Sequence, residues 1–77
     1  SPDAMRMVGK LEQMKLLEDA MDRLEEKDRE IIICRNHCGM TFPEIALELN
    51  IREDAARMRY VRAVSRLTDL LPAKVEL

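Results

Sequence analysis

The chain has 77 residues, of which 36% are charged and 47% hydrophobic, a size that suits one small domain or a piece of a larger protein. One Phe, one Tyr and no Trp argue against an aromatic platform for stacking bases, as found in single-strand and RNA binders. Two glycines and three prolines are too few for an all-β sandwich or barrel. The net charge of −2 by itself argues against a nucleic-acid partner, because DNA-binding domains are usually basic.

Signals for export or membrane insertion are absent from the sequence. No apolar run reaches the roughly 18–20 residues that a membrane span needs, and the N-terminus lacks the apolar core of a signal peptide. Cys34 and Cys38 lie four residues apart in a segment that reads as helix, which is unlike the disulfide framework of a small secreted domain. We therefore expect a cytoplasmic protein with no membrane partner.

The first half of the chain predicts helix. Ser1 can cap a helix that has Pro2 in its first position. From Met14 onward apolar residues recur on one face of a helix, whereas residues 4–11 fit that stripe poorly. We expect residues 1–13 to be a linker or an extension of the first helix, and 14–77 to be the domain. Local pattern allows one helix from 10 to 38, capped by Gly39. The stripe consists of Met14, Leu17, Ala20, Met21 and Leu24.

The second half has the spacing of a helix-turn-helix. Thr41 and Glu44 predict a capping box at the start of a short helix. Asn50 follows that helix at a turn, where it tolerates the left-handed conformation. A longer helix then begins near Glu53 and ends at Pro72. We expect the two helices to pack through Ile45, Ala46, Leu49, Ile51, Ala56 and Tyr60, and the long helix to bury in addition Ala63, Val64, Leu67, Leu70 and Leu71.

Charge is distributed unevenly along the chain. Residues 1–51 contain 7 Lys and Arg against 11 Asp and Glu, a net charge of −4. Residues 52–66 contain five arginines and two acids, a net charge of +3. Arginine is the side chain best suited to guanine edges and phosphates. A solvated charged face is the alternative, but together with the helix-turn-helix spacing the arginines favour contact with DNA.

Three segments resemble region four of bacterial sigma factors, most closely the extracytoplasmic-function (ECF) type. They are 24–35, 39–46 and 51–67, and the resemblance runs from about Leu16 to Leu71. The strongest element is Ala-Arg-Met-Arg-Tyr-Val-Arg-Ala at 56–63, followed by Arg66 and Leu67. The resemblance implies an all-α, four-helix domain with a C-terminal helix-turn-helix, of the winged-helix-like or sigma region-four kind.

The resemblance also implies function, partners and site residues. The last helix of such a domain enters the major groove of the −35 promoter element, and the earlier helices hold the β-subunit flap of RNA polymerase. An anti-sigma factor is a further expected partner. Carried over by position, the resemblance implies that Arg57, Met58 and Val61 face base edges. It implies that Arg62 and Arg66 contact phosphates, with Arg59 supporting this backbone contact. Arg52, at the tip of the turn, can reach either a base or a phosphate. Thr41 is a further candidate, because its helix N-terminus favours an anion.

Departures from the family pattern fall at three turn positions. Asn50 replaces the usual glycine, Arg52 stands where a capping Ser or Thr is usual, and Glu25 replaces a helix-breaking proline. The break between the first two helices, near 25–27, is therefore implied by the resemblance and not by composition. Met58 and Val61 offer only apolar contact, for instance to a thymine methyl, so base readout rests heavily on Arg57.

Other chemistry has weaker support. Cys34, His37 and Cys38 could converge on a metal, but a zinc site needs a fourth ligand and the chain has no other Cys or His; we favour ordinary packing. Ile33 is a candidate exposed contact for a protein partner, with close packing as its alternative. No Gly-rich phosphate loop or nucleophile–base pair is evident, so we expect neither catalysis nor a cofactor.

Two alternative functions remain open at this point. One is a regulator-type helix-turn-helix transcription factor. The other is a helical protein-binding module that an anti-sigma factor holds, with its basic face covered.

Overall fold

The computed structural model of the protein describes residues 1–75 and confirms an all-α fold with a helix-turn-helix at its C-terminal end. The α helices of this part of the chain are α1 (Pro2–Arg23), α2 (Glu26–Ile32), α3 (Phe42–Leu49) and α4 (Glu53–Leu70). Residues 1–75 contain no β strand and hence no wing. No helix among them is long and apolar enough to cross a membrane.

Helix α1 begins as its capping residues predict. The Ser1 side chain accepts a hydrogen bond from the Ala4 N–H at 3.3 Å, and Pro2 occupies the first turn. Residues 1–15 are all exposed, and α1 joins the core only through its later turns, from Leu17 to Met21, and through Leu24 directly after it. The assignment of Met14 to the buried stripe was wrong, since its side chain is 64% exposed. Helical periodicity identifies the apolar face of a helix but not how much of that face is covered. The N-terminal part of α1, which includes Met14, extends beyond the other helices and stays exposed.

The chain breaks between α1 and α2 at Leu24 and Glu25, which both have extended backbone. The Arg29 guanidinium lies at this break. It donates to the carbonyls of Met21, Asp22 and Leu24 at 3.0, 3.4 and 2.8 Å. These carbonyls lie in the last turn of α1 and at the residue that follows it, where regular helical partners run out. The Met21 carbonyl also accepts from the Leu24 N–H at 3.2 Å, and Arg29 supplies further donors from the next helix.

Helix α2 continues into a π-helical turn at Ile33–His37, which sequence periodicity does not predict. The Cys38 N–H donates to the Ile33 carbonyl, five residues back, at 3.0 Å. Gly39 then takes a positive φ of 64°, as expected of the residue that ends this helix. The widened turn alters the register of the residues within it, so regular α-helical spacing does not describe how the side chains of Cys34, His37 and Cys38 are arranged.

The helix-turn-helix forms as its sequence predicts. Thr41 Oγ1 accepts from the Glu44 N–H at 3.2 Å, and Glu44 Oε1 accepts from the Thr41 N–H at 2.9 Å. Asn50 adopts the left-handed conformation, with φ 54° and ψ 51°. The buried core comprises Ala20, Leu24, Ile31, Ile32, Ile45, Ala46, Ala56, Ala63 and Leu67. Helix α4 packs against α2, α3 and α1, so its buried face fixes how its other face is presented.

Candidate nucleic-acid interface

The face of α4 turned away from the core is basic with apolar residues between. Ala56, Ala63 and Leu67 are buried on the inner face. Met58 and Val61 are 49% and 57% exposed, although apolar. Arg62 is exposed beside them, and neither it nor the half-buried Arg59 forms an ion pair within residues 1–75. Such a face offers guanidinium donors, which suit guanine edges and phosphates, and apolar side chains, which suit thymine methyl groups.

Arg57 is held on one flank of α4. Its Nη2 donates to Glu53 Oε1 at 2.9 Å, one helical turn earlier. Its Cζ also lies 4.8 Å from the centroid of the Phe42 ring, within the range of a cation–π contact. The predicted base-reading arginine therefore has two defined neighbours in this structure.

Phe42 is the centre of a cluster that sequence reasoning missed. The Arg35 Cζ lies 4.4 Å from its centroid, and the Tyr60 ring meets it edge to face at 5.7 Å. The Tyr60 hydroxyl in turn donates to Asn36 Oδ1 at 2.7 Å. The cluster joins the π-helical turn, the start of α3 and the middle of α4. The only sequence signal was that the chain's single Phe and single Tyr both lie in the helix-turn-helix.

Arg66 connects α4 to α2. Its Nη1 donates to both carboxylate oxygens of Asp28, at 3.0 and 2.9 Å. The Asp28 side chain is only 6% exposed, whereas that of Arg66 is 57% exposed. The structure thus gives Arg66 a partner within the domain, and the exposed part of its guanidinium remains open to solvent. Its contact with a phosphate stays a prediction.

An open cleft of about 520 Å³ lies between α2 and α4 on this side of the molecule. Its cations outnumber its acids by five to three, and two of the acids are already paired, Asp28 with Arg66 and Asp54 with Arg52. The cleft therefore has a positive lining, which suits a polyanion. The residues that line it are Glu25, Lys27, Asp28, Arg52, Asp54, Ala55, Met58, Arg59, Arg62 and Arg66.

Thr41 and Arg52 each lie directly before a helix of the helix-turn-helix, Thr41 before α3 and Arg52 before α4. Arg52 is the residue before α4 and forms no side-chain cap there; its side chain is 84% exposed and pairs with Asp54 at 3.3 Å. Thr41 caps α3, and its hydrogen bonds hold the pKa of the Glu44 carboxyl below the usual range. The Glu44 carboxylate thus occupies part of the α3 N-terminus, and contact of Thr41 with a phosphate stays a prediction.

The cysteine and histidine cluster does not form a metal site in the described part of the chain. Among residues 1–75 no three His, Cys, Asp or Glu side chains come together in a way that could hold a metal ion. Cys34 is partly buried, and this burial raises the pKa of its thiol. Cys34 packs against the hydrophobic core, whereas Cys38 is exposed.

Comparison with known proteins relates this geometry to a family. The sequence model of sigma-70, region 4, matches residues 14–67. The chain is 39% identical over 63 residues to the RNA polymerase sigma factor NccH of Alcaligenes xylosoxydans xylosoxydans, a stretch that covers 82% of this chain. It spans about a third of the length of that relative, 33%. No solved structure matches the chain. The match over most of its length and the helix-turn-helix that ends in α4 show that the chain belongs to the sigma-70 region 4 family.

Proposed function

We propose that this chain is the promoter-binding domain of a sigma factor and recognises the −35 element with α4 in the major groove. The observation that carries the proposal is the outer face of α4, where Arg62 lies exposed beside Met58 and Val61 on the second helix of a helix-turn-helix. The second helix of that motif is the one that enters the groove. Arg57, Met58 and Val61 then face bases, and Arg52 reaches either a base or a phosphate. The phosphate contacts fall to Arg62, Arg66 and Thr41, with support from Arg59.

In the same proposal, the helices that precede α4 bind RNA polymerase. Residues 1–51 carry a net charge of −4, so phosphates would repel this part of the chain as a whole. We assign its packed part, from Leu17 onward and apart from Thr41, to the β-subunit flap. Ile33 is a contact residue in this assignment, because its apolar side chain is 39% exposed in the π-helical turn. The protein then acts in the cytoplasm as an initiation factor, and we propose no catalytic role or cofactor for it.

Transcription by the full-length factor tests the DNA assignment. Arg57→Ala combined with Arg62→Ala is expected to abolish promoter-specific transcription with core polymerase while circular dichroism shows the fold intact. Arg6→Ala with Lys10→Ala is the matched control: it removes the same charge from the exposed first turns of α1 and should leave transcription near the wild-type level. Unchanged transcription in the Arg57 and Arg62 variant would refute the assignment.

A protein-binding module is a second candidate, favoured by the exposed apolar residues outside α4. Leu47 is 84% exposed on α3, and α3 packs against the π-helical turn that holds Ile33. An anti-sigma factor or the polymerase would cover these side chains. Leu47→Ser with Ile33→Ser should then weaken binding to core polymerase or to an anti-sigma factor and leave binding to duplex DNA unchanged. If the variant binds both core polymerase and an anti-sigma factor as tightly as the wild type does, this candidate is excluded.

A regulator-type transcription factor makes a different prediction from either. Such proteins commonly bind paired half-sites as dimers and need no core polymerase to occupy them. Tight, dimeric binding of this chain to a palindromic duplex would favour that alternative over a sigma factor.

A further inference from the structure

We infer that Glu53 and Phe42 are positioning residues that set the base preference of α4 by holding the Arg57 guanidinium. The inference rests on the proposed function, in which Arg57 reads a base edge. It adds two residues to the recognition apparatus, one acidic and one aromatic, neither of which is assigned a contact with DNA.

Two neighbours hold the Arg57 guanidinium in a defined position. One of its nitrogens, Nη2, donates to Glu53 Oε1 at 2.9 Å, while its Cζ lies 4.8 Å from the Phe42 centroid. The Arg57 and Glu53 side chains are 55% and 47% exposed. The other N–H groups of Arg57 form no hydrogen bond within residues 1–75, so the guanidinium is oriented by its neighbours and still has donors for a base.

The Phe42 ring is itself fixed by its neighbours. Tyr60 packs edge to face against it, and the Tyr60 hydroxyl donates to Asn36. Arg35 lies over it at 4.4 Å, and Arg35 Nη1 donates to the Met40 carbonyl at 2.9 Å. The ring is therefore held from both the π-helical turn and α4, and provides a rigid support for Arg57.

A supported arginine recognises a base edge differently from a free one. A free arginine must lose rotamer entropy before it can form the paired hydrogen bonds that distinguish guanine, whereas a held arginine has already lost much of it. The Glu53 carboxylate also repels phosphate, and that repulsion weakens binding to every duplex alike. Removing Glu53 should thus raise affinity for unrelated DNA and lower discrimination between sequences.

The experiment measures base preference with the 77-residue chain. A preferred duplex is selected from a random pool, and affinities are then measured for duplexes with each base pair changed in turn. Arg57→Ala should remove discrimination at one base pair, roughly 5- to 150-fold for a paired arginine contact. Glu53→Gln and Phe42→Leu should each lower the ratio between the affinity for the preferred duplex and the affinity for the duplex changed at that same base pair. Phe42→Tyr, which keeps an aromatic ring at this position, should restore the wild-type ratio.

A matched control separates positioning from general electrostatics. Lys15 and Asp19 form another ion pair one turn apart, at 3.2 Å, on the exposed face of α1. Asp19→Asn removes the same charge as Glu53→Gln but lies outside α4, and should leave the preference at every base pair unchanged. Glu53→Gln should in addition raise affinity for an unrelated duplex at low salt.

These measurements test the proposed function and the positioning role of Glu53 and Phe42 separately. If the wild-type chain shows no base preference, the proposed function fails. If Arg57→Ala alters the preference and Glu53→Gln does not, or if Glu53→Gln changes all affinities by one factor, the positioning role is overturned and the proposed function stands. Glu53→Gln decides the case even if Phe42→Leu unfolds, because the Glu53 side chain is exposed.

Discussion

Asp28 and Arg66 form an ion pair across 38 residues of sequence, which joins the first turn of α2 to the last turns of α4. Arg66 Nη1 donates to both oxygens of a carboxylate that is almost completely buried, and no buried side-chain polar atom in residues 1–75 lacks a partner. The pair therefore fixes α4, whose outer face is the candidate interface, against the rest of the domain.

Removing the arginine should cost more stability than removing the acid. Arg66→Met leaves the Asp28 carboxylate buried without its partner, whereas Asp28→Ala leaves a guanidinium that water can reach. We expect Arg66→Met to lower the free energy of unfolding by about 2 kcal/mol, less than the loss for a fully buried pair because Arg66 is half-exposed. Urea denaturation followed by circular dichroism measures the difference.

The double variant provides the control for that prediction. Asp28→Leu with Arg66→Met replaces both charges by apolar groups, and should recover much of the stability that Arg66→Met alone loses. Additive losses in the double variant would mean that the two side chains stabilise the fold independently.

Arg29 should stabilise the break between α1 and α2. Its guanidinium donates to three carbonyls at the end of α1, and a charged donor contributes about 1.5–3 kcal/mol. Arg29→Ala should therefore lower the free energy of unfolding by about 2 kcal/mol. Arg29→Lys should restore less than half of this, because one ammonium cannot reproduce the forked geometry. Equal stability of the Lys variant and the wild type would show that charge alone suffices.

Acid should weaken the capping box of α3. The hydrogen bonds from Thr41 lower the pKa of the Glu44 carboxyl, so the folded state favours the ionised form. Its contribution to stability is present above the unfolded pKa, about 4.3, and is lost as the pH falls through the lower folded-state value. Unfolding measured between neutral pH and pH 3 should show a smaller acid loss in Glu44→Gln than in the wild type. An identical acid profile would contradict this role.

The turn before α4 should respond to the backbone preference of residue 50. Asn50 has φ 54° and ψ 51°, a conformation that costs roughly 1–2 kcal/mol for most residues. We expect Asn50→Ala to lower the melting temperature and Asn50→Gly to leave it unchanged or slightly raised. A lower melting temperature in the Gly variant than in the Ala variant would mean that the Asn50 side chain, and not its backbone, stabilises the turn.

Local sequence signals predicted much of this fold. The caps at Ser1, Thr41 and Asn50 and the buried stripe of α4 depend on residues close together in the chain, and their geometry follows from backbone hydrogen bonding. The exposed arginines of α4 followed from the same periodicity. These signals predicted which face of α4 is exposed, and the structure agrees, while the contact of that face with DNA remains a prediction.

The contacts that hold the site could not be predicted in this way. Asp28 reaches Arg66 across 38 residues and Asn36 reaches Tyr60 across 24, distances over which no periodicity carries information. The sequence assigns no role to Arg29, although its guanidinium donates to three carbonyls at the end of α1. Met14 was assigned to the core because a helical stripe does not show where the covering helices end.

We propose above all that Arg57 contacts a base in the major groove of the upstream promoter element. Dimethyl sulfate methylates guanine at N7, which faces that groove, and footprinting of the full-length factor with core polymerase on its promoter tests the claim most directly. We expect one guanine of the −35 element to be protected by the wild type and exposed in Arg57→Ala, with protection retained in Arg62→Ala at higher protein concentration. Protection that persists unchanged in Arg57→Ala, or no protected guanine in that element, would contradict the account.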